Sequence, residues 1–162
     1  MGRIVVADTG YQTVSAVQDF VELLTASTQA ILIHSVRIMQ SSDEASTEAE
    51  LLQINLKRAS GSYTSGSSGS SLTMVLNNLA DAAHGLTGVE RNNTSQAVAG
   101  SGVLSTIVSG CFNVIAGEWE YTPTPELRPV LGPSQAFIVS LDEAPADALT
   151  LKCMVVFEII AG

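Results

Sequence analysis

The sequence contains little charge. Charged residues make up 14% of the 162 positions, against about 25% in an average soluble protein. Lysine, which is depleted at protein interfaces, occurs only at Lys57 and Lys152. A chain with so few charges is expected to cover part of its surface with copies of itself or with a partner. A surface made polar by serine and threonine is the alternative.

Positive charge is especially scarce. The formal net charge is −9 and the isoelectric point is about 4.4, and the five arginines are dispersed along the chain. We therefore expect no nucleic-acid partner and no membrane partner, since both attract basic patches.

Long hydrophobic runs are also missing. Hydrophobic residues reach 46%, but no apolar run approaches the ~20 residues that span a bilayer. The first ten residues, "MGRIVVADTG", lack the apolar core and the cleavage site of a signal peptide. We expect synthesis and folding in a cytoplasm.

The residues of catalytic and metal sites are few and poorly spaced. Cys111 and Cys153 form no C-x-x-C pair, and both have apolar neighbours, which predicts buried free thiols. His34 and His84 have no acid or cysteine at metal-ligand spacing, and no G-x-S-x-G motif occurs. We therefore predict no catalytic residue, no metal site and no cofactor.

One acidic cluster needs a separate interpretation. Asp142, Glu143 and Asp147 precede Cys153, so they could form an acid/base group beside a nucleophile. Two such carboxylates could also serve glycoside hydrolysis, but aromatic residues, which would stack on sugars, are only 5% of the chain. A turn rich in acids, followed by a strand that buries Cys153, is the favoured interpretation.

Several segments alternate apolar and polar residues with a period of two, which predicts half-buried strands. A strand is expected to end near Leu141, and a closing strand is expected to begin at Leu149. The predicted apolar faces are Leu32, Val36 and Ile38 (with His34); Leu52, Ile54 and Leu56; Phe137, Val139 and Leu141; and Leu149, Leu151, Cys153, Val155, Phe157 and Ile159.

The second face of the closing strand is apolar in its middle, at Met154 and Val156. A strand that is apolar on both faces is expected to be covered on both, and a neighbouring subunit could supply the cover. Met154 and Val156 are therefore candidate subunit-interface residues. Trp119, the single tryptophan, is a third candidate.

Some segments are not clear strands. Residues 14–24 have helix-like apolar spacing, with a strand over 19–24 as the alternative, and residues 72–85 could form a short helix that ends at Gly85. Residues 41–50 are expected to form an acidic connection, and the Ser/Gly-rich residues 60–71 a flexible loop. Residues 101–121 are expected to form one long strand, or two short strands with a break near Gly110 or Gly117.

These patterns together predict an all-β, single-domain jelly roll or antiparallel β-sandwich with long loops and little helix. Residues 1–30 are predicted to form an N-terminal segment, partly extended, that contacts neighbouring molecules. Residues 31–162 are predicted to form the jelly-roll-like domain, with the Ser/Gly-rich loop at 60–71.

The order of motifs in this chain resembles a family of small bacteriophage virion proteins. It runs from "IMQSSDEASTEAELLQINLKR" through "GSSGSS" and "ERNNTS" to "PELRPVLGPSQAFIVSLDEAPADALT" and a closing "FEI" strand. The resemblance covers residues 30–162 and rests on turn and strand patterns. It implies a jelly-roll subunit, typically a homotrimer, that decorates or cements a phage capsid by binding the major capsid protein. The expected location is the capsid surface of the virion.

Two other functions remain open. The same fold serves in receptor-binding parts of phage tails, so a glycan-recognising head of a tail fibre or spike is the alternative. Such a head usually follows a shaft of repeats or heptads, and none is present in these 162 residues. A small glycosidase is the third possibility, and we expect no enzymatic activity.

Overall fold

A computed structural model describes residues 2–42 and 50–161, and in these residues the chain is almost entirely β-structure. These described residues contain thirteen strands, one 3-10 helix at Pro125–Leu127 and no α-helix. The strands are β1 (Arg3–Asp8), β2 (Gln12–Val14), β3 (Gln18–Leu24), β4 (Ala30–Gln40), β5 (Leu51–Ser60), β6 (Ser70–Ser71), β7 (Met74–Leu76), β8 (Gly88–Asn93), β9 (Val103–Asn113), β10 (Trp119–Tyr121), β11 (Val130–Leu131), β12 (Ala136–Leu141) and β13 (Leu149–Ala161).

The strands form two antiparallel sheets that pack as a sandwich. Sheet A has the order β10-β4-β13-β1-β7, with β11 also paired to β4 and β2 to β13. Sheet B has the order β6-β8-β3-β12-β5-β9. The predicted all-β, single-domain sandwich is confirmed.

Two long stretches of chain pair with each other along three successive strands. β5 pairs with β9, β4 pairs with β10 and β11, and β3 pairs with β12. Residues 18–40 and 51–60 therefore pair with residues 103–141 in three antiparallel stretches, which lie in sheet B, in sheet A and again in sheet B. Pairing shared between two sheets in this way fits the predicted jelly roll or antiparallel β-sandwich.

The core lies between the sheets and contains all four phenylalanines, which are fully or almost fully buried. Burial of each such side chain stabilises the fold by about 1.5–3 kcal/mol. The alternation predicted for β13 is confirmed, since Leu149, Leu151, Cys153, Val155, Phe157 and Ile159 are all buried. β12 ends at Leu141 and β13 begins at Leu149, as predicted.

The face predicted for β4 is wrong in its first half. Ile31 and Ile33 are buried there, whereas Leu32 and His34 lie on the outer face. The pairing of β4 with β13 shifts register between Ile33 and Ser35, and one extra residue in a strand moves every following side chain to the opposite face. Odd-numbered residues are buried in the first half of β4 and even-numbered residues in the second half. Val36 and Ile38 are therefore buried, as predicted.

Both helix-like segments are non-helical. β3 pairs with β12 through a bulge, so that neighbouring residues Phe20 and Val21 both reach the core. Two adjacent apolar residues within a strand produce the i, i+3, i+4 spacing that is typical of a helix. In the second segment, β7 is followed by turns up to Gly85, whose φ of 67° belongs to a loop.

The N-terminal residues are part of the sandwich. β1 lies between β13 and β7 in sheet A, and β3 lies between β8 and β12 in sheet B. Residues 3–24 therefore share the core with the rest of the chain, and residue 30 marks no boundary in it.

The Ser/Gly-rich residues 60–71, which were predicted to form a flexible loop, lie along sheet B. Isolated β-bridges pair Thr64 with Val98 and Ser67 with Ser95. The break after β9 falls near Gly117, one of the two predicted places, where φ is 105°. Most of the acidic connection predicted at 41–50 lies outside the described residues.

Candidate functional site

The outer face of sheet A carries an apolar surface that crosses its strands. In the strand register, Val75 lies beside Val6, and Val6 beside Val156. Met154 lies on the same face of β13, one pair further along. We call these four residues, Val6, Val75, Met154 and Val156, the sheet A patch.

The sheet A patch is exposed, and more apolar residues surround it. Val75 is 58% exposed, and Met154 and Val156 are partly exposed. The outward positions further along the strands are also apolar, at Ile4, Leu32, Val130 and Ile160. An outer sheet face usually carries polar residues, so an apolar one is typical of a protein–protein contact.

The charged side chains on this face form ion pairs with one another. Lys152 Nζ lies 3.1 Å from Asp8 Oδ2, and Arg37 Nη2 lies 3.0 Å from Glu120 Oε1. His34 Nε2 lies 3.1 Å from Glu158 Oε2, and the two form an ion pair when the imidazole is protonated. These six residues are the ionisable groups that the described strands of sheet A present outward. Each acid on this face therefore has a lysine, arginine or histidine partner, although the whole chain carries −9.

The pairing of these charges affects how readily this face can be buried against another protein. Burying a lone charge is strongly unfavourable, whereas a charge that already has a partner loses less on desolvation. An apolar surface with paired charges around it is therefore suited to burial against another protein.

The three predicted interface residues do not lie together. Met154 and Val156 belong to the sheet A patch, whereas Trp119 pairs with the core residue Ile38 and packs against the core from the edge of sheet A. Its indole lies over Gly110 of β9, where a Cβ atom would be 2.8 Å from Trp119 Nε1. Trp119 therefore joins the two sheets at their edge, and nothing in the described residues places it on the patch.

The outer face of sheet B is covered by loops that bind a buried carboxylate. Glu22 is only 3% exposed. Its Oε1 accepts hydrogen bonds from Tyr63 Oη at 2.7 Å and Ser65 Oγ at 2.6 Å. Its Oε2 accepts from Gly66 N at 3.0 Å and Asn93 Nδ2 at 3.3 Å. Burial and the hydrogen bond to Glu22 both raise the pKa of Tyr63.

Asp19 binds a second loop, which contains Ala97, in the same way. It accepts hydrogen bonds from Ser140 Oγ and, at 2.7 Å, from Ala97 N. Burial raises the pKa of Asp19, although both hydrogen bonds act in the opposite direction. Because these donors come from the loops and strands around them, the two carboxylates fasten the loops to sheet B.

Asp142 is more than a solvated turn acid. Its carboxylate accepts hydrogen bonds from Lys57 Nζ at 2.8 Å, Asn55 Nδ2 at 2.6 Å and Gln96 Nε2 at 2.8 Å. Burial alone would raise the pKa of Asp142, but these hydrogen bonds and the charge of Lys57 outweigh it and lower the pKa. Glu143 and Asp147 are exposed in the same connection.

The structure does not bring the acids and Cys153 together as a catalytic group. Asp142 lies on the outer side of sheet B, whereas Cys153 is 0% exposed in the core, where burial raises the pKa of its thiol. Cys111, in contrast, is exposed on the edge strand β9, so its predicted burial is wrong. In the described part of the chain, no group of three His, Cys, Asp or Glu side chains could hold a metal ion.

Sequence reasoning missed Asp19 and Glu22. The signal was present in "VQDFVELL", where two acids interrupt an apolar strand. Acids at such positions are expected to be paired when they are buried. Their donors come from residues 63–66 and 93–97 and from Ser140, which sequence spacing alone could not connect to them.

No protein-family model matches this chain, and no curated protein matches it. Within residues 2–42 and 50–161, no helix is long and apolar enough to cross a membrane.

Proposed function

We propose that this chain is a structural protein of a bacteriophage virion, a decoration or cement protein of the capsid. In this proposal it assembles as a homotrimer and binds the major capsid protein at the capsid surface, after synthesis in the host cytoplasm. The resemblance of its turn and strand motifs to small phage virion proteins supports this class.

The observation that carries the proposal is the sheet A patch with its paired charges. A subunit that works by being packed into an assembly needs a surface of this kind. A standard interface buries about 1,600 Å², and at ~25 cal/mol per Å² its apolar part contributes about 20 kcal/mol before the costs of association. Many copies on one shell would multiply this stabilisation.

A mixing experiment tests the function. Purified protein is added to shells of the phage that encodes it, assembled without this chain, and the pellet after centrifugation is analysed for bound protein and stoichiometry. We expect wild type to sediment with the shells at a fixed ratio. We expect Val156→Glu to remain in the supernatant, because it places an unpaired charge in the sheet A patch, which this proposal makes the contact surface.

Val98→Glu is the matched control, because Val98 is also an exposed valine but lies in a loop over sheet B. It should sediment like wild type. If wild type fails to bind shells but binds host cells or their glycans, the proposal is wrong and the receptor-binding alternative is correct.

A further inference from the structure

One strand edge of the described sandwich is long and open. β9 has eleven residues and is the outermost strand of sheet B, paired only with β5. The other outermost strands, β6, β7, β10 and β11, have two or three residues each. Short edge strands protect a sheet against pairing with another chain, and β9 lacks this protection.

The sequence of β9 also lacks the usual protective residues. Residues 101–116, "SGVLSTIVSGCFNVIA", contain no charged residue and no proline. Charged residues, above all lysine, and prolines are what natural proteins place on an open edge to prevent strand pairing. The one irregularity is a bulge that leaves Ile107 unpaired opposite β5.

An apolar groove lies beside this edge. It has a volume of about 210 Å³ and lies between β9 of sheet B and the β10–β11 region of sheet A. Ile107, Leu127 and Val130 line it and are exposed, Leu127 to 71%. Tyr121 and Leu131 also contribute to its lining, and Arg58 of β5 is the one charged residue in it. A strand added to β9 would bring its own side chains over this groove, as in other recognition by strand addition.

We propose that β9 pairs antiparallel with β9 of a second copy of this chain, across a two-fold axis, and that this contact covers the apolar groove. Self-pairing sets a strand against its own reversed sequence, so any charge in it would stand close to a like charge. The complete lack of charge over residues 101–116 removes that repulsion in a chain whose net charge is −9. The contact lies apart from the sheet A patch and does not depend on it.

Cysteine cross-linking tests the pairing. In a Cys111→Ser background, single cysteines are placed at Ser105, Ile107 and Ser109 of β9, and disulfide-linked dimer is followed on non-reducing gels. Cys153 does not interfere, because it is fully buried. We expect one position to cross-link at least about tenfold faster than Ser62→Cys in an exposed loop, because pairing raises the effective concentration.

Two further variants separate the alternatives. Adding Ser109→Lys to the Ser105→Cys and Ile107→Cys variants, or Ser105→Lys to the Ser109→Cys variant, should reduce cross-linking to the rate of the loop control. Ser62→Lys should leave it unchanged. Adding Val156→Glu should not reduce it, since the two contacts are separate. The proposal is overturned if all three β9 cysteines react only as fast as the loop control, or if these β9 lysines leave their rate unchanged.

Discussion

At the scale of single residues, the polar groups that matter are carboxylates with several donors each, of which Glu22 and Asp19 are buried and Asp142 is partly buried. Glu22, Asp19 and Asp142 each join sheet B to a segment that is distant in sequence. Hydrogen bonds to a charged group contribute about 1.5–3 kcal/mol each, and an unsatisfied buried partner is strongly unfavourable. These carboxylates therefore explain why a loop as rich in serine and glycine as residues 60–71 lies against the sheet.

Replacement of Glu22 by glutamine tests this explanation. All four partners of Glu22 donate to it. Glutamine removes the negative charge that strengthens these hydrogen bonds, and the hydroxyls of Tyr63 and Ser65 would have to turn and accept from the new amide NH₂. We expect Glu22→Gln to lower the free energy of unfolding by about 2–3 kcal/mol, measured by urea denaturation. Glu126→Gln, at an exposed site in the 3-10 helix, should change it by less than about 0.5 kcal/mol. Equal stability of both variants would contradict the role given to Glu22.

Asp142 predicts a pH dependence of defined sign. Its pKa in the folded chain lies below the ordinary value of 3.8, so the unfolded chain takes up this proton first as the pH falls. The stabilisation is therefore complete well above pH 3.8 and is lost as the pH falls through the lowered pKa.

The measurement compares wild type with Asp142→Asn between pH 7 and pH 2. Because the site is partly exposed, we expect wild type to be more stable by only about 1–2 kcal/mol at pH 7. The difference should shrink below about pH 4. Asp19 is present in both proteins, so its own titration cancels. A difference that stays constant down to pH 2 would show that the charge of Asp142 does not stabilise the fold.

At the scale of strands, alternation predicted β4, β5, β12 and β13, and bulges explain why the pattern failed in parts of β4 and β3. β5, β12 and β13 were predicted correctly because their alternation is uninterrupted on the core face. In β4 and β3 one extra residue shifts the pattern, and no local feature of the sequence marks it. The apolar second face at Met154 and Val156 was visible in the sequence. The pairing of the charges around it was not, because those partners come from different strands.

The contact of β9 with β10 depends on the absence of a side chain at Gly110. A Cβ atom there would lie 2.8 Å from Trp119 Nε1 and 3.1 Å from Trp119 Cζ2, so Gly110→Ala must displace the indole. We expect a loss of about 1–3 kcal/mol of stability. We also expect a red shift of tryptophan emission, which reports on Trp119 alone because it is the single tryptophan.

Ser105→Ala, at an exposed position of the same strand, is the control and should leave both quantities unchanged. An unchanged emission spectrum in Gly110→Ala would mean that Trp119 does not pack over this glycine in solution.

At the scale of the whole molecule, the two sheets have different surroundings. Sheet B is covered on its outer side by the chain's own loops, which Glu22 and Asp19 hold in place. Sheet A has no such cover in the described residues, and its outer face is apolar with paired charges. A neighbouring subunit would give sheet A the layer that the loops give sheet B.

The most direct test of this account is the mass of the protein in solution. Sedimentation velocity is measured at micromolar concentration in the Ser109→Lys background, so that pairing through β9 does not contribute. We expect a mass of about three times the 16.9 kDa of one chain, and we expect addition of Val156→Glu to reduce it to that of one chain with an unchanged circular dichroism spectrum. A single-chain mass without Val156→Glu, or a trimer that survives it, would contradict the account.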